Sequence, residues 1–358
     1  MSDGGILQVI ASTDRRGAEV FALDLEAALL RRGRATRTVA LAPGRQGGLS
    51  VPTLGRRPLA PGTLRALRRA ARDATVVIAH GSTTLPACAL ALAGTGVPFV
   101  YRNIGDPTFW ASTPLRRARV RCFLGRAELV VAIAPGAASE LTHRFGVERE
   151  RVTTIPTGVP AARHQPADAR ARRAARVALG LPPDAPVVAV VAALSPEKNV
   201  GPAIDTIGEC PDVVLVVAGD GPERPTLEAH ARAAAPGRVH FTGSIGDPAP
   251  VYAAADALLL TSRTEGLPAV LIEAGLSGLP AIATDVGYVR EVVVDGETGV
   301  IVRPGDVGAA ARAVGHALAR RDALGGAARA RCLDRFELEH VAAQWDEVLG
   351  SCRRRRST

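Results

Sequence analysis

Lysine is almost missing from this chain. Of the 44 lysines plus arginines one is lysine, Lys198, and the other 43 are arginine. Aromatic residues make up only 3% of the sequence. Stacking platforms for nucleic acid are therefore scarce, and no recognised nucleic-acid-binding motif occurs, so no nucleic-acid partner is expected. No window of 18 or more apolar residues is found, which argues against a membrane-spanning helix. The opening segment MSDGGILQVIAS lacks a basic stretch followed by an apolar run and a cleavage site, and reads as a first buried strand rather than a leader. The cysteines are odd in number and scattered: Cys88, Cys122, Cys210, Cys332 and Cys352. Without a Cys-x-x-Cys pair they speak against a zinc site and for a reducing, cytoplasmic compartment. They read as buried thiols acting as small apolar residues.

What is present suggests two domains. The chain has 358 residues, 47% of them apolar, enough for a sizeable core. Short apolar runs alternate with longer helical stretches, which implies α/β structure with parallel sheets covered on both faces. In the first half the strands read as 6–12, 36–41, 75–80, 98–102, 128–134 and 151–158. Residues 159–183 then turn rich in proline, alanine and arginine and lose the strand pattern. A second series follows at 185–194, 213–220, 238–243, 257–262, 280–285 and 299–304. The expected division is a first domain over 1–160, a linker with an arginine-rich helix over 161–184, a second domain over 185–336 and a basic tail over 351–358. Ligands of open parallel sheets bind beyond the carboxyl ends of the strands. In the second half those ends read ALSPEKN, AGDGPE, TGSIGD, TSRTEG and TDVG.

Three features at these ends point to chemistry. Lys198 follows Ser195-Pro196-Glu197 where arginine fills every other cationic position, and a compact ammonium grips phosphate oxygens as a point charge. A lone surface lysine is the bland alternative. Gly219-Asp220-Gly221-Pro222 is either a ligand contact or a strand-to-helix turn; Arg224 spoils the Gly-x-Gly-x-x-Gly pattern. The first half has no such fingerprint either, which weakens a nicotinamide oxidoreductase reading. Finally, TEGLPAVLIEAG places Glu265 and Glu273 on either side of Gly266, Leu267, Pro268 and Ala269. Pro268 suits a first helical turn, and the backbone N–H groups from Gly266 to Ala269 would form an anion site at a helix N-terminus. Carboxylates repel phosphate, so the natural partners of the two glutamates are hydroxyls on either side of it. An anion with hydroxyls at both ends is a sugar–diphosphate–ribose.

SPEKN, VAGDGPE, FTGSIGD, SRTEGLPAVLIEAGLSGLP and DVGYVREVVVDGETGVIVRPGD, in this order and spacing, resemble family 4 of the retaining nucleotide-sugar glycosyltransferases. The resemblance is strong from about 185 to 305. It is looser in the first half, where DRRGAEVFALDLEAALLRRG is similar to the family's opening loop and helix. It implies the GT-B fold, two Rossmann-like domains facing a central cleft, with the acceptor on the first domain and the 337–350 helix packed back onto it. It further implies that Glu273 binds the ribose hydroxyls and that Glu265 and the backbone of Gly266 to Ala269 hold sugar and diphosphate. Lys198 would neutralise the leaving diphosphate, Ser244 and Ile245 would face the base, Gly17 and Gly219 would approach the donor, and His80 would line the cleft near the transferred sugar. Two departures stand out: Ala193 replaces an arginine the family often carries, with Arg263 the candidate substitute, and Thr157-Gly158-Val159-Pro160 lacks the usual closing aspartate.

The implied reaction moves a sugar from a nucleoside diphosphate (UDP or GDP) to an acceptor with retention, without metal or other cofactor, in cell-surface polysaccharide or glycolipid synthesis. The net charge of +9 suggests an anionic partner. Arg65, Arg68, Arg69 and Arg72 share a helical face, Arg116, Arg117, Arg119, Arg121 and Arg126 form a second cluster, and Arg353, Arg354, Arg355 and Arg356 follow in the tail. These imply peripheral binding to the inner membrane face and a lipid-linked or small-molecule glycan acceptor. Solvated arginines in an arginine-biased chain are the plain alternative. A nucleotide-sugar epimerase and a non-catalytic nucleotide-sugar-binding protein remain open.

Overall fold

The computed structural model describes residues 5–44, 48–105 and 113–354, the side chains of the last two excepted. The chain forms two units, one from Met1–Val159 with Glu337–Thr358, the other from Pro160–Phe336.

In the first unit β1 (Ile6–Ser12), α1 (Gly17–Arg31), β2 (Thr36–Ala42), α2 (Pro61–Ala70), β3 (Val76–His80), α3 (Thr84–Ala91), β4 (Phe99–Asn103), α4 (Pro114–Leu124), β5 (Leu129–Ala132), α5 (Pro135–His143) and β6 (Val152–Thr154) follow in turn. The strands lie parallel in the order β2-β1-β3-β4-β5-β6. The direction of winding therefore reverses between β1 and β3.

The second unit holds α6 (Ala169–Ala178), β7 (Val187–Val191), α7 (Gly201–Gly208), β8 (Val214–Ala218), α8 (Arg224–Ala234), β9 (Val239–Gly243), α9 (Ala249–Ala254), β10 (Ala257–Leu260), α10 (Ala269–Leu276), β11 (Ala281–Thr284), α11 (Val289–Val292), β12 (Gly299–Val302), α12 (Val307–Ala319) and α13 (Arg321–Phe336). Its parallel order is β12-β11-β10-β7-β8-β9, with the reversal between β7 and β10. Strands such as VLVVA in β8 are buried along their whole length, as expected when helices cover both faces of a parallel sheet.

The stretch 161–184 is not a linker. Its helix α6 belongs to the second unit, where Arg176 is 6% exposed and its Nε donates to the Ala254 carbonyl at 3.0 Å. Composition hid this, because the buried group is an arginine rather than an apolar residue.

The chain returns to the first unit through α14 (Leu338–Arg354), which places Leu338, Val341, Trp345 and Leu349 in one core with Phe21, Leu25 and Leu29 of α1. The backbone N–H of Leu338 donates to the Val159 carbonyl at 3.1 Å, so the two points where the chain changes unit lie side by side. A Cβ on Gly158 would come within 2.9 Å of Val341 Cβ and 3.1 Å of Leu338 Cα, so glycine there is a packing requirement of α14. Of the cysteines, Cys88, Cys332 and Cys352 are buried, but Cys210 is half-buried and Cys122 exposed, on the outward face of α4. No helix among the described residues is long and apolar enough to cross a membrane.

Candidate functional site

The reversal between β7 and β10 leaves a crevice beyond the carboxyl ends of two adjacent strands, the place where doubly wound sheets bind ligands. The loop after β7 carries Lys198 and the loop after β10 carries Glu265, and the fold brings them into contact. Lys198 Nζ donates to Glu265 Oε1 at 2.7 Å, and Ser262 Oγ donates to the same oxygen at 2.6 Å. The Glu265 side chain is 7% exposed and that of Lys198 30%. Both hydrogen bonds go to Oε1, so among the described residues Oε2 is left for a further hydroxyl, and an ammonium with three protons keeps two for other acceptors.

The two loops are stitched together. Asn199 Nδ2 donates to the Thr261 carbonyl, Thr261 Oγ1 to the Asn199 carbonyl at 2.9 Å, and the N–H of Arg263 to the Glu197 carbonyl at 2.9 Å. Asn199 adopts φ of 49°, a left-handed conformation that asparagine tolerates better than most residues. Lys198 is thus set on a fixed turn. Beside it, Ser195 Oγ is buried with no partner among the described residues.

Helix α10 begins at Ala269 in the same region. Pro268 is its N-cap, with ψ of 112°, rather than a residue of the first turn as expected from the sequence. Proline has no side chain with which to cap, and although the Leu271 N–H donates to the Pro268 carbonyl at 3.1 Å, the N–H groups of Ala269 and Val270 are left for an anion. Leu267 and Pro268 are buried, Gly266 and Ala269 half-buried. Within α10, Glu273 Oε2 accepts from the Tyr252 hydroxyl at 2.6 Å. Sequence reasoning missed Tyr252, which arrives from α9; burial first, and the Glu273 charge after it, hold its phenol protonated well above the usual range. The Tyr252 hydroxyl thus helps to aim Glu273.

The other expected donor residues line the same sheet edge. Gly219 follows β8 with φ of 144°, and a Cβ there would meet the Ala192 carbonyl oxygen at 1.8 Å. Packing of the strand-to-helix turn alone thus accounts for this glycine. Ser244, exposed, and Ile245, half-buried, follow the edge strand β9, two strands from β7 and so about 10 Å away along the sheet. Ala193 is exposed and brings no charge; exposed Arg263 is the nearby cation.

In the first unit, Gly17 opens α1, and a Cβ there would meet nothing within 4 Å. The fold itself does not require glycine at 17. His80 does not behave as expected. It is 2% exposed, its ring lies 6.2 Å from that of Phe21 and 6.4 Å from that of Trp345, and its Nε2 is 2.9 Å from Gln8 Oε1. The Gln8 amide donates to the Ala22 carbonyl, so Gln8 Oε1 is the acceptor and His80 carries its proton on Nε2. Burial, then the Arg102 charge, lowers its basicity well below the ordinary range. His80 is a buried, neutral histidine packed between Phe21 and Trp345, surroundings that do not favour the expected role near the transferred sugar.

Two further groups were not foreseen. Arg102, 1% exposed, lies over the Phe21 ring at 3.8 Å, and its Nη2 donates to Thr157 Oγ1 at 2.8 Å. Burial lowers its pKa to about 9, against a raising effect from Glu19. Glu19, in the first turn of α1, is 7% exposed. Their only sequence signal was a charge inside an apolar run. Among the described residues no three His, Cys, Asp or Glu side chains gather as a metal cluster would.

Two doubly wound parallel sheets, with a cation, two carboxylates and an uncapped helix N-terminus at the crevice of the second, define a two-domain α/β protein of the GT-B class. The model of group 1 glycosyl transferases matches residues 171–331, and that of Glycosyltransferase Family 4 matches residues 15–163. A GDP-mannose-dependent phosphatidylinositol monomannoside mannosyltransferase of Mycolicibacterium smegmatis is 33% identical over 70% of this chain and 70% of its own. A D-inositol 3-phosphate glycosyltransferase of Nocardia farcinica is 34% identical over 56% of this chain and 47% of its own; the chain thus spans about half the length of that relative. HepE of Anabaena, solved with UDP and glucose, superposes with a TM-score of 0.86 at 22% identity, over 97% of this chain and 99% of its own, which shows the shared fold. The chain belongs to the group 1, family 4 glycosyltransferases.

Proposed function

We propose that the chain transfers a hexose from a nucleoside diphosphate to an acceptor hydroxyl with retention at the anomeric carbon. The carrying observation is the Lys198–Glu265 pair at the crevice between β7 and β10, beside the open N-terminus of α10. In this reading the diphosphate lies on those N–H groups and on Lys198, Glu265 Oε2 holds a sugar hydroxyl, and Glu273, aimed by Tyr252, takes the ribose hydroxyls. The bond from the anomeric carbon to the phosphate oxygen breaks, and the bond to the acceptor oxygen forms on the same face. The acceptor proton passes to the departing phosphate. Lys198 and the helix N-terminus offset the developing charge, and no divalent ion is needed. Arg263 stands in for the arginine absent at 193, and Gly17 leaves room for the phosphates to approach.

The mannosyltransferase relative names GDP-mannose as donor and HepE was solved with UDP, so GDP and UDP are the first bases to try. Both named relatives act on inositol compounds that carry phosphate, which favours an inositol phosphate or its lipid as acceptor. The test is thermal unfolding with UDP, GDP, ADP, TDP and NAD, on wild type and Glu273→Ala. A bound diphosphate at 100 times its Kd adds about 2.7 kcal/mol. The expected result is a rise with one diphosphate that shrinks in Glu273→Ala; a rise with NAD alone would sink the reading. Ala193 favours one second reading, a nucleotide-sugar-binding protein without turnover, which release of free diphosphate in the presence of acceptor would exclude.

The lipid acceptor brings a membrane surface with it. On α4 and just after it Arg116, Arg117, Arg119, Arg121 and Arg126 are all exposed, with Leu115 73% exposed among them. On α2 Arg68 is less free, since its Nη1 donates to the Ala93 carbonyl at 2.7 Å. Arg355 and Arg356 lie outside the described residues, and the side chains of Arg353 and Arg354 are not described. We place the membrane contact on α4, at roughly 1 kcal/mol per arginine near an anionic leaflet. Sedimentation with phosphatidylglycerol vesicles should be salt-sensitive and should fall in Arg116→Glu/Arg119→Glu; binding unchanged in that variant removes α4 from the account.

A further inference from the structure

The strands that carry Lys198 and Glu265 beyond their carboxyl ends have a second charged cluster at their amino ends. Pro186 immediately precedes β7 and Asp256 immediately precedes β10. A concave pocket of about 260 Å³ opens there, lined by Arg172, Arg176, Arg321, Asp184, Asp256 and Leu318. At about 3.3 Å per residue, the five residues of β7 put it about 16 Å from the crevice.

Counting donors against acceptors shows what the pocket lacks. Asp256 Oδ2 is fully engaged, accepting from Arg176 Nη2 at 2.7 Å and from the Val187 N–H at 2.9 Å. Arg176 is engaged through three of its five N–H groups, its Nε also donating to the Ala254 carbonyl at 3.0 Å and its Nη1 to the Pro183 carbonyl at 2.6 Å. Arg172 and Arg321 are left with Asp256 Oδ1. Arg172 Nη1 stands 3.8 Å from it and Arg321 Nε 3.6 Å, both beyond hydrogen-bond distance. The Nε atoms of both arginines are buried without an acceptor among the described residues. Their side chains are only 24% and 21% exposed. Asp184 lines the pocket but is exposed, and Asp322, 3.9 Å from Arg321, is 99% exposed. Burial first, and the Arg321 charge second, push the Arg172 guanidinium below its ordinary pKa. Two half-buried guanidiniums thus share one carboxylate oxygen, each at ion-pair rather than hydrogen-bond distance. One carboxylate oxygen only partly offsets two cations, and guanidinium forks match the oxygens of phosphate.

We propose that this pocket is a second anion site, which binds the phosphate group of a phosphorylated small molecule between Arg172 and Arg321. It is separate from the crevice at Lys198 and independent of the reaction assigned there. A doubly charged phosphate neutralises both cations, and the volume leaves room for a group attached to it.

Calorimetry with inorganic pyrophosphate on the full chain tests it. Saturable binding is expected in wild type. The crevice can take a diphosphate as well, so the titration is compared between variants: Lys198→Ala should lose only the crevice contribution and keep a saturable heat, which is the one that belongs to this site. Arg172→Gln/Arg321→Gln should weaken it at least tenfold. Asp184→Asn, which removes an exposed carboxylate from the rim, should tighten it about threefold, a gain that misfolding cannot mimic. No saturable heat in wild type, loss in Lys198→Ala, or equal affinity in the double arginine variant overturns the proposal. Should that variant fail to fold, Asp184→Asn decides alone, and unchanged affinity overturns it. Arginine-dependent binding to phosphatidylglycerol vesicles without pyrophosphate heat would assign the pocket to a lipid headgroup and overturn it as stated.

Discussion

Glu19 shows what one buried charge does to this molecule. Burial raises its carboxyl from 4.5 to about 7, although its own backbone and the charges of Arg16 and Arg102 pull the other way. In the unfolded chain it ionises near 4.5. Between those values the folded state holds a proton that the unfolded state has lost, so stability falls as pH rises from about 4.5 to 7 and stays lower above that. Glu19→Gln removes the effect. The variant should exceed wild type by roughly 3 kcal/mol at pH 8, and the gap should close below pH 4.5, as read by denaturant titration across pH. A gap that does not vary with pH would mean that Glu19 is not held protonated. His80 works in the opposite direction: buried neutral, it costs stability as pH falls below about 6.5, and the two partly cancel in wild type. At this scale the sequence was legible where a residue type was rare. Lys198 stood out as the sole lysine, and Glu265 with Glu273 as charges in an apolar run. Their partners were not legible, because Ser262 is one of many serines and Tyr252 comes from another helix.

At the scale of elements, periodicity and burial on two faces made all twelve strands readable, and the alternating order implied the parallel sheets. What could not be read was which distant element covers which residue. His80 sits at a strand end where ligands usually bind, and it is packed there against Phe21 of α1 and Trp345 of α14, which lie far from it in the sequence. The arginine-rich helix α6 was expected, but not its place in the second unit, since its partners Ala254 and Asp256 lie far along the chain. Gly17 and Gly158 make the contrast measurable. Gly158→Ala drives a methyl into α14 and should lower stability by about 1–3 kcal/mol, seen as a fall in Tm. Gly17→Ala meets open space and should leave Tm unchanged while weakening donor affinity. Equal Tm losses in both would refute the distinction.

At the scale of the whole molecule, every residue assigned to the donor except Gly17 falls within Pro160–Phe336. A fragment of residues 160–336 should therefore keep the diphosphate-dependent rise in Tm and its sensitivity to Glu273→Ala, though without transfer activity. A folded fragment that ignores diphosphates would place essential binding groups in the other unit. The hydrogen bond from Leu338 to Val159 adds a consequence for chain connectivity. The second unit is an insertion into the first, entering and leaving through neighbouring residues. Val159 and Glu337 run side by side in the same direction, so excising 160–336 leaves ends that are close in space but need a short reversing loop, and a gene for the first unit alone should carry one between them.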